Sequence, residues 1–543
     1  MKNRVMSIMT TMVCACLLAC AASYSGQAGN LQSAQTVLAH ELISAWEPQA
    51  ALELIKKGLK SDPDSTELLF LKARAYYYLS RYDAAAEVLN SAATADPRVA
   101  VFKDLLAAIC KTTDRFVSRE SEHFVMRAVP GKDEVLYTQG LAALEQAYAA
   151  LEKDLGYRPE NKVVVEVYPD TESFILASTL SPAEVRTSGT IALCKFNRIM
   201  IVSPRTLLTG YPWLDTLCHE YVHYVLWKKN GDTVPIWLHE GIAKFQEKRW
   251  KGEGGTALTP YMRTALKTHL ASGTLLPLDR MHPSFAKLES REEVVLASAE
   301  VLSLIRFIWI QGGYDAILGI LDHLRTGKDY RDALAVVWEM SFDDFMQSWK
   351  KQIAGLAPGG APGLAAHERT FVDLEEKSEN GSSEQDREID RLPSPKVKDF
   401  VRLAALLEER GRGKAAILEL EKALEQGGRG SPMIANRLAA LYLSANKTNH
   451  AQKLLQEALT WDEEYVTTLE NLGRVYKHTG RDSKAVETLV EATRINPFNP
   501  YTRQDLFEVY SKLGWNEDAM REGEALAILT GEGIPQATEQ EGR

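Results

Sequence analysis

The chain has 543 residues, of which 45% are hydrophobic and 25% charged, and it carries a net charge of −10. This length exceeds that of one ordinary domain, so we expect about two to four domains. The acidic balance argues against a broad nucleic-acid-binding surface, and no apolar run after the N-terminus is long enough to span a membrane.

The first residues resemble an export signal. A positively charged start, MKNR, precedes a short apolar stretch at 5–18, which is too short to cross a bilayer as a stable helix. The letters LLAC that end at Cys20 resemble a bacterial lipobox, so we expect residues 1–19 to be a lipoprotein signal peptide and Cys20 to carry a lipid. Because alanine follows Cys20, the resemblance to Gram-negative lipoproteins implies the outer membrane, facing the periplasm. Cleavage after a small residue such as Ala21 or Ala22 would instead give a soluble periplasmic protein.

A pair of helical repeats is predicted at 31–112. Asp62-Pro63 and Asp96-Pro97 are 34 residues apart. Small and large residues recur between them where two antiparallel helices must interlock, namely Ala73, Tyr76, Ala85, Leu89 and Ala92. Repeat helices are scaffolds whose aromatic stripes form the core, so we do not expect a small-molecule site here.

Residues 115–355 lose the 34-residue period and predict an α+β domain. HFVMRAV alternates, while KVVVEVYP and NRIMIVSP are rich in branched residues and end at proline, so each predicts a strand. The stretch 133–155 has apolar residues at helical spacing, and helical patterns dominate after the strands up to Lys351. A small sheet followed by helices is therefore expected.

The segment 217–245, LCHEYVHYVLWKKNGDTVPIWLHEGIAKF, contains two His-Glu pairs and a further histidine. Apolar residues three and four apart predict that its first half is helical. His219 and His223 then project from one face one turn apart, which suits two ligands of one tetrahedral ion. Glu220 lies about 100° around the helix from His219, so its carboxylate can accept a proton from a water beside the ion, as in an H-E-x-x-H site.

A catalytic zinc ion needs a third protein ligand and an open position. Glu240 lies 17 residues after His223 on a second predicted helix, which allows one chain reversal and a return. The adjacent His239 cannot share its direction, so we interpret Glu240 as the ligand and His239 as a supporting or packing residue. Gly241 and Ala243 are small and would let this helix approach the first closely. The alternative is two ordinary amphipathic helices with hydrogen-bonded core histidines.

A linker and further repeats are predicted for the rest of the chain. Residues 356–396 are rich in proline and glycine and then polar and acidic, which is typical of a linker. Beyond it, a 34-residue period predicts about four repeats over 397–530. Its markers are Tyr442, Tyr476 and Tyr510 with Ala451, Ala485 and Ala519. Both repeat sets resemble the tetratricopeptide repeat (TPR), which implies all-α solenoid segments that bind a protein partner.

The middle domain resembles the gluzincins, and specifically the peptidase MA-like domain of bacterial exported proteins. The resemblance covers roughly 120–350 and rests on EVYPDTESF, SGTIALCKFNRIMIVSP, HEYVH and WLHEGIAKF. It implies a zincin-like α+β fold in which His219, His223 and Glu240 hold Zn²⁺ and Glu220 acts as the general base.

The same resemblance has implications for substrate binding. It implies that the strand 198–203 is a sheet edge to which an extended peptide adds. Many gluzincins supply a tyrosine from a downstream helix to stabilise the oxyanion, but REEVVLASAEVLSLIRF contains none, and Tyr261 and Tyr314 lie elsewhere. The G-x-M-E-N motif of related aminopeptidases is also absent, which favours an endopeptidase.

Together these patterns predict an exported zinc metallopeptidase that hydrolyses peptide bonds, with repeats that recruit substrate or place the enzyme in an envelope complex. We expect no nucleic-acid partner and no membrane contact beyond the lipid anchor. One alternative is a non-catalytic envelope scaffold with a degenerate metallopeptidase domain, which the missing tyrosine favours. Glu220 favours an enzyme, because a structural zinc site needs no carboxylate there. Another alternative is hydrolysis of a non-peptide amide.

Overall fold

The structure is a computed structural model that describes residues 28–91, 96–252, 254–357, 394–428 and 430–535, with 371, 388–390 and 392. The predicted signal peptide, Cys20 and most of the predicted linker lie outside these residues. The described chain forms two compact units. One contains the residues up to Asp114 together with Phe196–Arg198, and the other contains the remainder.

The first unit is helical throughout its described N-terminal part. Its helices are Ala28–Ser44 (α1), Pro48–Ser61 (α2), Thr66–Tyr78 (α3), Tyr82–Ser91 (α4) and Pro97–Thr113 (α5). The small residues of the repeat pattern lie in their interfaces, since Ala51, Ala73 and Ala85 are fully buried. A Cβ atom on Gly58 would lie 2.8 Å from Leu68 Cδ1, so α2 and α3 pack in close contact.

The second unit begins with most of a five-stranded sheet. Its strands are Val117–Glu120 (β1), Phe124–Ala128 (β2), Val163–Tyr168 (β3), Ala192–Lys195 (β4) and Arg198–Val202 (β5), in the order β1-β2-β3-β5-β4. β1 pairs antiparallel with β2, and β2 pairs parallel with β3. The three predicted strands correspond to β2, β3 and β5. β1 and β4 were not predicted, because four residues are too few to show an alternating pattern.

The prediction that 198–203 forms a sheet edge is wrong. β5 lies between β3 and β4, and all five of its residues are buried, as expected for an interior strand. Phe196 and Asn197 connect β4 to β5 with φ angles of 56° and 61°, the left-handed conformation that tight two-residue hairpin turns require. This hairpin places β4 outside β5, and β4 is therefore the edge strand on this side of the sheet.

Helices pack around this sheet. They are Leu136–Leu155 (α6), Thr171–Ser178 (α7), Pro182–Ser188 (α8), Trp213–Asn230 (α9), Ile236–Gln246 (α10), Pro260–Ser272 (α11), Arg291–Arg325 (α12), Tyr330–Trp338 (α13) and Phe342–Ala354 (α14). α9 packs against α6 and β4, and α10 packs against α9 and α12. The longest, α12, is interrupted at Gly313, whose φ of 63° is not helical. None of the described helices combines the length and apolarity needed to cross a bilayer.

The C-terminal repeats form helical pairs in the same unit. Their helices are Pro395–Glu409 (α15), Gly413–Ala423 (α16), Pro432–Ser444 (α17), Thr448–Trp461 (α18), Val466–His478 (α19), Asp482–Thr493 (α20), Pro500–Leu513 (α21) and Asn516–Thr530 (α22). The alanines of the 34-residue period, Ala451, Ala485 and Ala519, are buried. A Cβ atom on Gly473 would lie 2.5 Å from Leu489 Cδ2, so a larger residue between α19 and α20 would require Leu489 to shift.

Glu300 is a buried carboxyl group in α12 and makes folding stability depend on pH. It is 1% exposed, Oε1 accepts the Leu276 N–H at 2.9 Å, and Oε2 has no hydrogen-bond partner among the described residues. Burial raises its pKa from the ordinary value of 4.5 to about 8. Because the folded pKa lies above the unfolded one, the stability that protonated Glu300 provides is complete below about pH 4.5 and is lost as pH rises through about 8.

We therefore expect Glu300→Gln to make the protein less sensitive to alkaline pH. Glutamine keeps the acceptor for Leu276 and carries no charge. Between pH 5 and pH 8, the variant's free energy of unfolding should rise relative to that of the natural protein by roughly 1 kcal/mol per pH unit. Urea unfolding at about pH 5, 7 and 9 measures the difference. Parallel pH profiles for the two proteins would show that Glu300 is already ionised at neutral pH.

Candidate metal centre

Helices α9 and α10 bring three of the predicted residues together. His219 and His223 lie one turn apart on α9, and Glu240 lies on α10. The Nε2 atoms of His219 and His223 are 3.2 Å apart. Glu240 Oε2 lies 3.5 Å from His219 Nε2 and 3.7 Å from His223 Nε2. Three potential ligand atoms thus converge on one point.

These separations fit a tetrahedral zinc ion. Zn²⁺ binds His nitrogen and carboxylate oxygen at about 2.1 Å, so neighbouring ligand atoms in a tetrahedron lie about 3.4 Å apart. Two histidines and a glutamate also leave a fourth position open, as catalytic zinc sites do. Nearby carboxylates stabilise a positive charge at this site. Burial disfavours a charged His219, but Glu240 and Glu247 outweigh that effect and raise its pKa to about 10.

Glu220 lies beside the three ligands and is 6% exposed. Its carboxylate accepts the backbone N–H of Cys194 in β4, and its Oε2 has no hydrogen-bond partner in the described part of the chain. Burial raises the pKa of Glu220, and the positive charges of His223 and His219 only partly offset this. A buried carboxylate with a raised pKa and an unpartnered oxygen is suited to accept a proton and return it.

His239 and Glu247 each contact the Nδ1 atom of one of the two histidine ligands. His239 Nδ1 lies 2.5 Å from His223 Nδ1, and the two rings stack 4.7 Å apart. Burial and the charge of His223 lower the pKa of His239 to about 3, so His239 is neutral and accepts the His223 Nδ1–H. This leaves His223 Nε2 directed at the metal position. His239 therefore lies where a supporting residue was expected.

Glu247 supports His219 and was not predicted. Its Oε2 lies 3.7 Å from His219 Nδ1, and its Oε1 lies 2.9 Å from Lys244 Nζ. Burial raises the pKa of Glu247, but Lys244 and His219 outweigh burial and lower it. Glu247 lies seven residues after Glu240, two helical turns along the same face, so helical spacing alone contained a signal for it.

The two unassigned tyrosines are engaged elsewhere. The Tyr314 hydroxyl donates to Gln246 Oε1 at 3.4 Å, and its ring lies 6.4 Å from that of Trp309. Tyr261 lies near the charges of Glu292 and Arg291. Within the described residues, neither tyrosine is hydrogen-bonded to the three ligand side chains. We therefore assign neither tyrosine a role at the metal centre.

Gly241 allows α10 to pack closely against α12. From the sequence we expected this glycine to allow close packing against α9, and the structure corrects that expectation. A Cβ atom on Gly241 would lie 2.7 Å from Ile305 Cγ1 and 3.1 Å from Val301 O. The neighbouring Glu240 is a ligand, so the α10–α12 contact also fixes where its carboxylate lies.

We expect Gly241→Ala to damage both stability and metal binding. The added methyl group would push α10 away from α12, which costs roughly 1–3 kcal/mol, and would displace Glu240 from the histidines. The melting temperature and the zinc affinity should both fall. Gly413→Ala should leave zinc affinity unchanged, because an added Cβ atom there meets only Leu441 Cδ2, at 4.0 Å, in the same unit. Unchanged zinc affinity in Gly241→Ala would show that this packing does not position Glu240.

Comparisons with known proteins agree with this organisation. Residues 143–355 match the family model of the Peptidase MA superfamily, and residues 42–109 and 466–499 match tetratricopeptide repeat models. The chain thus combines a Peptidase MA superfamily domain with TPR repeats on both sides. No curated protein matches the chain.

Several solved structures are similar to part of the chain. The crystal structure of MamA is 21% identical, covers 25% of this chain and 78% of its own, and has a TM-score of 0.24. YrrB, a TPR protein with an unusual peptide-binding site, is 18% identical, with coverages of 24% and 68% and a TM-score of 0.23. PilF of Pseudomonas aeruginosa is 22% identical, with coverages of 27% and 65% and a TM-score of 0.24.

Proposed function

We propose that this chain is a zinc-dependent peptidase with a zincin-like α+β domain that hydrolyses internal peptide bonds. The observation that carries the proposal is the convergence of His219, His223 and Glu240, whose ligand atoms lie 3.2 to 3.7 Å apart, with buried Glu220 beside them. The match of 143–355 to the Peptidase MA superfamily supports it.

Each side chain has a distinct task in this proposal. Zn²⁺ held by His219, His223 and Glu240 would polarise the scissile carbonyl and lower the pKa of a water molecule. Glu220 takes the proton of the attacking water as its oxygen adds to the carbonyl carbon. It then delivers that proton to the leaving nitrogen as the C–N bond breaks. The raised pKa of Glu220 suits both halves of this transfer.

The edge strand β4 is the element best placed to align a peptide. Its Cys194 N–H is hydrogen-bonded to Glu220, so main-chain groups of β4 lie next to the proposed base. An extended substrate that pairs with the edge of β4 would use main-chain hydrogen bonds, which are independent of sequence. We propose that the substrate is an extended or unfolded polypeptide bound in this way.

The repeats and the N-terminal sequence support a proposal about where this peptidase would work. TPR repeats on both sides of the domain support binding of a protein partner that delivers substrate or anchors the enzyme in a complex. The predicted export signal at 1–19 and the predicted lipidation of Cys20 support a location in the bacterial envelope, either as an outer-membrane lipoprotein or as a periplasmic protein.

A non-catalytic scaffold is the second candidate. It is favoured by one observation, that residues 291–307 of the downstream helix α12 contain no tyrosine that could stabilise an oxyanion. A scaffold would bind zinc and partners without cleaving them. The unpartnered Glu220 oxygen disfavours this candidate, because burying a carboxylate without a partner is costly and a structural site does not need it.

The proposal is tested by incubating the zinc-loaded protein with unfolded proteins and a peptide library and identifying products by mass spectrometry. We expect cleavage at internal bonds that stops on chelation and resumes when zinc is returned. The His223→Ala protein, prepared identically, controls for contaminating peptidases. Zinc-loaded protein that cleaves nothing in either substrate set would overturn the peptidase and leave the scaffold.

A further inference from the structure

Three lysines lie at and just after the C-terminal end of α10, the helix that carries Glu240. Lys244, Lys248 and Lys251 follow Glu240 within the short run KFQEKRWK. The C-terminal repeats, which belong to the same compact unit, present acidic side chains to this run. Glu463 lies in the connection between α18 and α19, and Glu491 lies near the end of α20.

Two ion pairs and one cation–π contact join residues 248–251 to the C-terminal repeats. Lys248 Nζ lies 2.8 Å from Glu463 Oε1, and Lys251 Nζ lies 3.3 Å from Glu491 Oε2. The Arg494 guanidinium lies 4.9 Å from the centre of the Trp250 ring. These contacts link positions more than 200 residues apart in the sequence and dock the repeats on the end of α10.

A backbone contact docks the repeats on the beginning of α9 as well. The Tyr211 N–H donates to Ile495 O at 3.0 Å. Gly210 has a φ of 74°, and a Cβ atom there would lie 2.2 Å from Ile495 O, so the two main chains meet where only glycine fits. Both helices that carry metal ligands are thus held by the repeats.

A short series of side-chain contacts connects the segment after α10 to the ligand His219. The Trp250 Nε1–H donates to Asp215 Oδ1 at 2.7 Å, which ties the residues after α10 to the first turn of α9. Lys244 pairs with Glu247, and Glu247 in turn faces the metal ligand His219. Displacing the end of α10 would therefore move the group that orients His219.

We propose that the C-terminal repeats help to position a metal ligand, because Glu463 and Glu491 hold the end of α10 in the position from which Glu247 orients His219. Lys248, its partner Glu463 and Gly210 are then positioning residues, since none of them touches the metal position. This inference rests on the zinc site of the proposed function but does not depend on peptide cleavage.

A charge-reversal cycle on Lys248 and Glu463 tests the inference. Zinc affinity is measured for the full-length protein by competition with a chelator, with zinc alone as the ligand. Lys248→Glu and Glu463→Lys should each weaken zinc binding about tenfold, the size expected when support for a metal ligand is lost. The double variant restores an ion pair with reversed charges and should recover most of the affinity.

A matched control distinguishes docking from a general charge effect. Lys162 pairs with Glu120 at 2.7 Å on the sheet, away from the lysine run. Lys162→Glu reverses the same kind of charge and should leave zinc affinity unchanged. Gly210→Ala breaks the backbone contact with Ile495 without changing any charge, and it should weaken zinc binding as the single reversals do.

The outcomes separate this inference from the proposed function. Wild-type zinc affinity in Lys248→Glu, Glu463→Lys and Gly210→Ala alike overturns the inference and leaves the peptidase in place. Equal weakening in the double variant and both single variants also overturns it, because pairing would then be irrelevant. A natural protein that binds no zinc overturns both. Circular dichroism and thermal unfolding of the metal-free variants verify that each is folded.

Discussion

Replacing Glu220 with glutamine is expected to abolish peptide cleavage and leave zinc binding intact. Glutamine has nearly the same size, and its carbonyl oxygen can still accept the Cys194 N–H that Glu220 accepts. It cannot take a proton from water. Loss of a general base lowers turnover by about 10²–10⁴-fold. Because Glu220 is not among the converging ligand atoms, zinc content should match that of the natural protein.

The measurement pairs initial cleavage rates with elemental analysis of the same samples. Glu300→Gln is a matched control, because Glu300 is also a buried carboxyl group with a raised pKa but has no part in the site. It should cleave normally when assayed near pH 7. If Glu220→Gln retains turnover within about tenfold of the natural protein, general-base catalysis by this residue is wrong.

Replacing His223 with alanine is expected to remove zinc and, with it, all cleavage. Four-ligand zinc sites bind with roughly 10–16 kcal/mol, so one ligand corresponds to about 3 kcal/mol, or a loss of affinity of about 100-fold or more. The change also leaves His239 without the Nδ1–H that it accepts at 2.5 Å. Adding zinc should raise the melting temperature of the natural protein but not that of the variant.

Isothermal titration calorimetry with zinc measures the loss of affinity. His269→Ala is a suitable control, because the half-buried His269 of α11 is hydrogen-bonded to Thr274 and is not among the three converging ligands. It should bind zinc like the natural protein. Undiminished zinc affinity in His223→Ala would mean that the ion binds elsewhere in the chain, and the assignment of the three ligands would be withdrawn.

Helical periodicity was sufficient to predict which residues converge. A helix fixes the direction of each side chain, so His219 and His223 had to lie on one face once the helix was identified. Glu240 followed from the chain length needed for a return helix. Glu247 was missed although it lies on the same face as Glu240, because the prediction stopped at the three ligands that a catalytic zinc ion requires.

The sheet edge was predicted wrongly for a physical reason. The apolar run at 198–203 indicates a strand but does not indicate which strand lies beside it. The two residues Phe196 and Asn197 form a hairpin turn, and β4 before them is only four residues long. A strand that short shows no period, so its presence at the edge is visible only in three dimensions.

Contacts between distant segments lay beyond the sequence patterns altogether. The ion pair between Lys248 and Glu463 joins the end of α10 to a loop between two repeats. In the sequence, each of these residues is indistinguishable from a charged residue on an ordinary protein surface. The backbone contact between Gly210 and Ile495 cannot be predicted from the sequence either, because glycines that precede helices are common in loops. Local periodicity carries no information about which repeat loop faces which helix.

The zinc content of the purified full-length natural protein tests the central claim most directly. After equilibration with excess zinc and removal of unbound metal, elemental analysis should find one zinc ion per chain, bound tightly enough to survive dialysis. Zinc at the background level of a metal-free control protein would contradict the assignment of His219, His223 and Glu240 as ligands. It would also remove the basis for the proposed peptidase.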